Sequence, residues 1–394
     1  MAVEVSYPGV YVEETSSGIH PIEGVSTSTA AFVGPARTGP IDGPVHVHSH
    51  LDYMQTFGSG SPATTLDHAV RLFFENGGSD ALIVRVGSSR GGAITDNAIS
   101  GSRLEAAKRG LWALDNVKNF NLLCVPPLAD GTDIGAQTRA AAVRYCEKRG
   151  ALFIADPSVA WQSARQAMAG VNAAFPTRSS HAALFFPFLQ AADPARAGKT
   201  MTVAPCGAVA GVMARTDAQR GVWRPPAGIE ATLNGVVGPA IKLSDGQNGE
   251  LNALGVNCLR TFARSGPVVW GARTLAGADQ VASEYKYIPV RRLALFVEES
   301  IQRGIRWAVF EANAEPTWAK VRLNVGAFMD RLFRNGAFQG RTAREAYFVK
   351  CDGTTTSQSD IDAGVANVVV GFAPLKPAEF VIVTIRQLFE KKKP

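Results

Sequence analysis

Three stretches carry residue types at spacings that chemistry could use. Gly87-Ser88-Ser89-Arg90-Gly91 has the G-x-S-x-G spacing of a nucleophile elbow and follows a strand-like run, Ala81–Val86. An elbow holds its serine on a sharp strand-to-helix turn, so a helix must come directly after it. Here Gly91-Gly92 prolongs the loop, and no histidine or acid stands in the expected order. The segment reads as an exposed Gly/Ser loop. His46, His48 and His50 alternate with Val45, Val47 and Ser49, which puts three imidazoles on one face of a strand. Neighbouring rings would stand about 7 Å apart, a poor distance for a shared tetrahedral ion. They read as the polar face of a half-buried strand. Asp156 closes the strand-like run Ala151–Ala155, at the end where open α/β sheets place their sites. Asp156-Pro157 also makes an ordinary turn and helix N-cap, and that is the reading adopted. No P-loop, complete G-x-G-x-x-G or HExxH occurs, so no catalytic residue, metal ligand or cofactor is assigned. An α/β hydrolase-like enzyme built on Ser89 or Asp156 is the remote alternative.

The elements around these stretches alternate in type. Thr29–Gly34 reads as a short buried strand. Leu66, Val70, Phe73 and Phe74 share one helical face before a stop signal, Asn76-Gly77-Gly78. Strands are expected at Ala81–Val86, Asn121–Val125, Ala151–Ala155 and Ala182–Phe186, with helices at Arg103–Lys118, Thr138–Arg149 and Val159–Asn172. Such alternation implies a parallel or mixed sheet with flanking helices. From Ala191 the text turns rich in Gly and Pro and reads as a surface excursion between domains. After a turn at Ser244–Glu250, strand-like runs follow at Val256–Phe262 and Val268–Thr274, then helices at Arg291–Arg303 and Pro316–Asn335.

The last of these helices has two faces. Trp318, Val321, Val325, Phe328 and Leu332 fall together, whereas Lys320, Asn324, Arg331 and Arg334 fall on roughly the opposite side at about 100° per residue. One face is core, and the other is a basic stripe, a solvated face by default and, as the sharper reading, a docking stripe for an acidic partner. Both termini read as strands. Val3, Val5 and Tyr7, then Val10 and Val12, alternate in the first 13 residues, and Phe380, Val381, Ile382, Val383 and Ile385 form a β-rich run behind Pro374 and Pro377. Terminal strands either close their own sheet or complete a neighbour's. Two of them on one large chain suit a subunit that links to its copies.

At 394 residues the chain exceeds one ordinary core, so two domains are expected. Its 46% hydrophobic and 19% charged content describes a well-packed soluble protein, without the ~20-residue apolar run of a membrane span. Met1-Ala2-Val3-Glu4 does not open a secretory signal. Five scattered cysteines without CxxC spacing argue for reduced thiols and folding in a cytosol. A net charge of +6 is mild, and only Lys391–Lys393 form a run, so nucleic acid is not an expected partner.

Taken together, YPGVYVEE, STSTAAFVGPARTGP, HAVRLFFENGG with ALIVRV, RGVWRPPAG, VVWGARTL, RRLALFVEESI, VFEANAEPTW, AYFVKCD and GFAPLKPAEFVIVTI resemble the contractile tail sheath proteins of phages and phage-tail-like injection particles. The resemblance runs through the whole chain in order. It implies an α/β (α+β) fold with a discontinuous inner domain of mixed sheet and helices, 1–22 with 250–394, and an outer α/β part, 23–249, with its core at about 66–190. It further implies a homo-oligomer of stacked six-subunit rings around a rigid tube, with baseplate and tail terminator proteins as further partners. Such a particle is a virion tail assembled in the bacterial cytoplasm, or a tailocin or extracellular injection system, and inserts no sheath segment into a membrane. The terminal arms, the second at 378–394, would add strands to neighbouring subunits, and Lys320, Arg331 and Arg334 would face the tube, with helix 291–303 as the other candidate. One departure is Pro289, where the family pattern leads one to expect a residue such as asparagine. It would shift the start of the helix that follows.

Overall fold

The computed structural model describes residues 20–58, 63–88, 94–193, 196, 198–375 and 381–388. The chain divides into two compact units: Val25–Phe296, and Met1–Gly24 together with Val297–Pro394.

The larger unit is built on one eight-stranded sheet. Its strands are β1 (Ala30–Ala36), β2 (Val45–Val47), β3 (Ala81–Ser88), β4 (Leu122–Cys124), β5 (Leu152–Ala155) and β6 (Ala182–Phe186), joined later by β10 (Val256–Phe262) and β11 (Gly266–Trp270). Between these last two groups, β7 (Leu189–Ala192), β8 (Thr200–Val203) and β9 (Gly238–Pro239) make a small antiparallel sheet. The large sheet runs β11-β10-β6-β5-β4-β1-β3-β2, with β2 and β11 antiparallel to their neighbours and the rest parallel. The expected α/β class is the observed one. Both faces are covered, which is why its central strands are continuous hydrophobic runs and not alternating ones.

Ala30 and Phe32 face one cluster with α1 (His50–Phe57), α2 (Thr65–Glu75) and a later helix, α5 (Cys206–Arg220). Ala31 and Val33 face the other, with α3 (Ala136–Arg149), α4 (Ala164–Ala174) and α6 (Asp245–Ala253). The outer edge of β11 is covered by an irregular segment: Gly228 N–H donates to Val269 O at 2.9 Å, Val269 N–H to Ala231 O at 2.9 Å, and Leu233 N–H to Pro267 O at 2.8 Å.

Several expectations change here. The text after Ala191 was expected to be a surface excursion, yet residues 206–220 form α5, buried along most of its length. A helix buried all round has no polar stripe, so the 3.6-residue period that reveals an amphipathic helix is missing. Its glycines serve close approach: a Cβ on Gly207 would overlap the Ala69 carbonyl oxygen, and one on Gly211 would overlap the Phe73 carbonyl oxygen. The expected helix 103–118 is broken by left-handed Lys108 (φ 50) and Gly110 (φ 59), and continues only as a 3-10 helix over Gly110–Asn116. The strand expected at 45–50 stops at Val47. Ser49 accepts the Asp52 N–H at 3.1 Å while Asp52 accepts the His48 N–H at 3.0 Å, so His50 opens α1. Residues 250–296, expected with the C-terminal part, contribute β10 and β11 to the large sheet. The boundary between the units falls inside α7 (Ile288–Gly304), whose second residue is Pro289, a favourable first-turn position that starts the helix three residues earlier than expected.

In the smaller unit, α8 (Glu315–Arg334) lies behind a three-stranded antiparallel sheet, β12 (Tyr347–Lys350), β13 (Val365–Phe372) and β14 (Val381–Leu388), with β13 in the middle. Trp318 Nε1 donates to Asn313 Oδ1 at 2.9 Å, and Asn313 Nδ2 donates to Val365 O at 3.0 Å, pinning the start of α8 to the start of β13.

Replacing Gly207 or Gly211 by alanine gains about 1 kcal/mol of helix propensity. The overlap with the carbonyls of α2, which cannot swing away as a side chain end would, outweighs it. Either variant should lose about 1–3 kcal/mol in urea unfolding. Gly326→Ala in α8, where a Cβ meets nothing within 4 Å, should instead gain stability.

Candidate assembly surfaces

Main-chain pairing dominates the smaller unit. β13 is largely buried, so its N–H and C=O groups need partners on both sides. Its first side is met by β12, in register from Tyr347↔Phe372 to Lys350↔Val369. Its second is met over its full length by β14, from Val365↔Leu388 to Phe372↔Val381, within the same chain. The terminal run singled out in the sequence is thus an antiparallel strand over Val381, Ile382, Val383 and Ile385; Phe380 lies outside the described residues, as do Val3, Val5, Tyr7, Val10 and Val12. β12 and β14 are the edges of this sheet among the described residues.

The N-terminal segment becomes describable at His20 and is fastened to α8. His20 N–H donates to Asn324 Oδ1 at 3.0 Å, the His20 ring stacks on Trp307 at 4.7 Å, and the Arg331 guanidinium donates to Ile22 O. Ile22 is buried against Gly304. This revises the basic stripe. Asn324, expected on the solvent side, is 1% exposed and belongs to the buried side, because it receives the incoming chain. Lys320, Arg331 and Arg334 are exposed on one side of α8. Arg331 also stacks over Phe328 at 5.6 Å, and Arg334 pairs with Asp330 at 2.8 Å. Leu323 stands 54% exposed on the same helix, and Phe310, just before it, 81% exposed. A helical-wheel count aimed at charge passes over both. No sequence signal separates an exposed Phe from a core one without the fold.

Among the described residues, the candidate chemical groups of the larger unit stand apart from one another. Ser89 lies outside the described residues. Asp156 does not cap the helix that follows it, which Ser163 caps; its Oδ1 accepts the N–H of Cys206, the first residue of α5, 50 residues away, at 2.8 Å. Burial pushes its carboxyl up to about 7, opposed by the contacts with Cys206 that favour the charged form. The nearby cavity of about 200 Å³ at the C-terminal ends of β4 to β6 is lined by Thr65, His68, Asp130 and Phe188 among others, with no serine or cysteine among its described lining residues. His46 and His48 both turn Nδ1 toward Asp80 Oδ1, at 3.1 and 3.5 Å, while His50 Nε2 meets Asp67 at 2.9 Å. The three therefore serve two separate carboxylates. All five cysteines are buried thiols.

Two family models match the chain: the phage tail sheath protein central domain over residues 97–275 and the phage tail sheath C-terminal domain over 280–387. Among solved structures, the sheath complex of an extracellular contractile injection system (PVC) in its contracted state is similar at 29% identity, with 97% of this chain and 98% of that one covered and a TM-score of 0.74. The helical sheath of the anti-feeding prophage (AFP) in its contracted state is similar at 30% identity, covering 96% and 98%, with a TM-score of 0.73. A curated relative, the tail sheath protein of Vibrio phage KVP40, is 30% identical over 174 residues, which span 24% of its own length. The chain thus matches about a quarter of the length of such phage relatives.

The raised carboxyl of Asp156 sets a pH dependence. Unfolded, the group ionises near 3.8, while folded it holds its proton to about 7, so stability falls as pH climbs through that interval. Asp156→Asn keeps the acceptor for Cys206 and removes the charge. Its melting temperature relative to the parent should rise steadily across the same interval, and a constant difference would reject the assignment.

The two family models, over 97–275 and 280–387, and the 30% identity with the AFP sheath over nearly the whole of both chains place this chain in the phage tail sheath protein family.

Proposed function

We propose that the chain is the structural subunit of a contractile sheath, polymerising as stacked six-subunit rings around a rigid tube and shortening to drive that tube through a target envelope. The observation that carries this reading is its likeness, at 29–30% identity and almost end to end, to two sheaths solved in their contracted states. The tube protein, a baseplate and a tail terminator are the partners this role requires, and the chain acts without catalysis. The sheath belongs to a phage tail or to an extracellular injection particle. The likeness to the KVP40 tail sheath supports the first owner and that to the AFP and PVC sheaths the second. No helix among the described residues is long and apolar enough to cross a membrane.

The smaller unit, with the terminal arms, is the part that links copies and faces the tube. The arms carry the links. β14 satisfies β13 within one chain in a register of eight residue pairs, and the same ladder serves equally when β14 comes from a neighbouring copy. Only the path of the connecting residues 373–380 differs between the two arrangements. The exposed edge of β12 then receives the N-terminal arm, Val3–Val12, of another copy. Each backbone hydrogen bond contributes about 0.5–1.5 kcal/mol, so a ladder of this length outlasts the weaker surface contacts while the units turn as rigid bodies. Lys320, Arg331 and Arg334 face the tube. Exposed pairs of this kind are worth about 0–1 kcal/mol and are screened by salt, which suits a contact that must let go when the sheath shortens.

Deletion of residues 1–13 or of 378–394 should leave folded monomers that form no long hollow polymers in negative-stain micrographs. Sheath-like tubes from either truncation would refute the strand exchange. Charge reversal at Arg331 and Arg334 together should shift the products from tube-filled particles to empty contracted-type tubes. Particles unchanged in number and filling would place the tube contact elsewhere.

A further inference from the structure

The polypeptide passes between its two compact units twice, at 24/25 and at 296/297, and both passages are fastened inside the larger unit to one buried ion pair. Arg292 on α7 and Asp217 on α5 are each 4% exposed at the side chain and meet as a two-pronged fork, Nη1–Oδ1 at 2.9 Å and Nη2–Oδ2 at 2.6 Å. Thr27 is the third member. Its carbonyl accepts Arg292 Nη2 at 2.8 Å and its hydroxyl donates to Asp217 Oδ2 at 2.7 Å. Thr27 follows Gly24 by three residues, and Arg292 precedes Phe296 by four.

A buried pair is a poor source of net stability, because apolar residues of equal volume generally serve as well once the loss of hydration is counted. What it does supply is geometry. A planar guanidinium held by both carboxylate oxygens is fixed in orientation, and a third partner on its remaining edge is fixed with it. Other hydrogen bonds tie the neighbouring residues to the strand ends of the sheet: Asn121 Nδ2 donates to Ser26 O at 2.8 Å, and Thr29 Oγ1 donates to Asp80 Oδ2 at 2.8 Å. Neither reaches α7. The ion pair joins the incoming segment to that helix, and through Asp217 it joins both to α5, which Gly207 and Gly211 seat directly on α2.

We infer that Arg292–Asp217 is a positioning yoke for sheath contraction. It couples the N-terminal segment to α7, so that a pull on the N-terminal arm is delivered to the body of the larger unit and to both passages together. Without it residues 25–28 come away from the start of α7, while His20 and Ile22 keep their holds on α8 and on Gly304. This rests on the strand exchange proposed above, since only an arm held by another copy is pulled.

The test uses the full chain. Arg292→Met with Asp217→Leu replaces the pair by apolar residues of similar size, and Arg292→Lys keeps the charge without the fork. In the double variant, amide exchange should quicken about tenfold in a peptide spanning residues 22–28 while the strands of the large sheet stay protected. Arg292→Lys should fall between parent and double variant. A purely stabilising pair would instead quicken exchange throughout 25–296, and that pattern, or unchanged exchange at 22–28, overturns the yoke. Should the double variant not fold, Thr27→Val, which deletes only the hydroxyl's bond to Asp217, is measured in the same way: faster exchange confined to 22–28 supports the yoke, and either of the other two patterns overturns it. Micrographs of the same samples separate the two claims. Polymers that form but fragment in the variants agree with the yoke, polymers as intact as the parent's overturn its role in contraction, and a parent chain that never polymerises sinks the sheath reading and with it the pull, leaving only the local coupling that exchange at 22–28 reads.

Discussion

A strand buried in the middle of a sheet must have hydrogen-bond partners along both of its edges, and β13 sets this constraint for the smaller unit. β12 covers only its last four residues. The ladder with β14 is therefore the larger share of its satisfaction, and it comes from the end of the chain, on the far side of a connection that begins just after Phe372. A donor strand on such a connection is defined by its register and not by which molecule it belongs to. In the proposed strand exchange, the stability of the smaller unit and the linkage between copies draw on the same set of backbone groups.

Charge is used in two opposite ways. On α8 it is at the surface, exposed, and partly self-neutralised by the Arg334–Asp330 pair, which makes it adjustable and sensitive to salt. Between α5 and α7 it is desolvated and bidentate, which makes it rigid and indifferent to salt. A molecule that must hold some contacts and release others gains from keeping the two kinds apart.

Much of this could be read from the residues. The alternation of β3, β4, β5 and β6 with helices stands out because buried parallel strands are short, unbroken apolar runs, and the terminal strand because it is rich in Val and Ile. Helix α8 was placed to within a residue or so because its apolar residues keep a 3.6 period. Three things were hidden. Helix α5 contains two glycines, the usual mark of a loop, and shows no polar stripe over 206–214 because that length is buried all round. Asn324 was assigned to solvent by wheel position alone, since the chain it receives, His20 to Ile22, is about 300 residues distant. Arg292 and Asp217 look like ordinary surface charges of amphipathic helices, and only the meeting of three remote segments buries them. The Ser49–Asp52 cap, by contrast, was legible and was masked by the alternating valines before it.

The edges of the large sheet have a further consequence. β2 is three residues long and turns at once into α1, and β11 begins Gly266-Pro267 and is sheathed by the segment 228–233. Neither border offers a straight run of free amides on which another molecule could crystallise. The broad sheet is thereby proofed against edge-to-edge stacking, and growth in the wrong direction, the hazard of any β-rich monomer made in quantity, is discouraged by the plan of the fold itself.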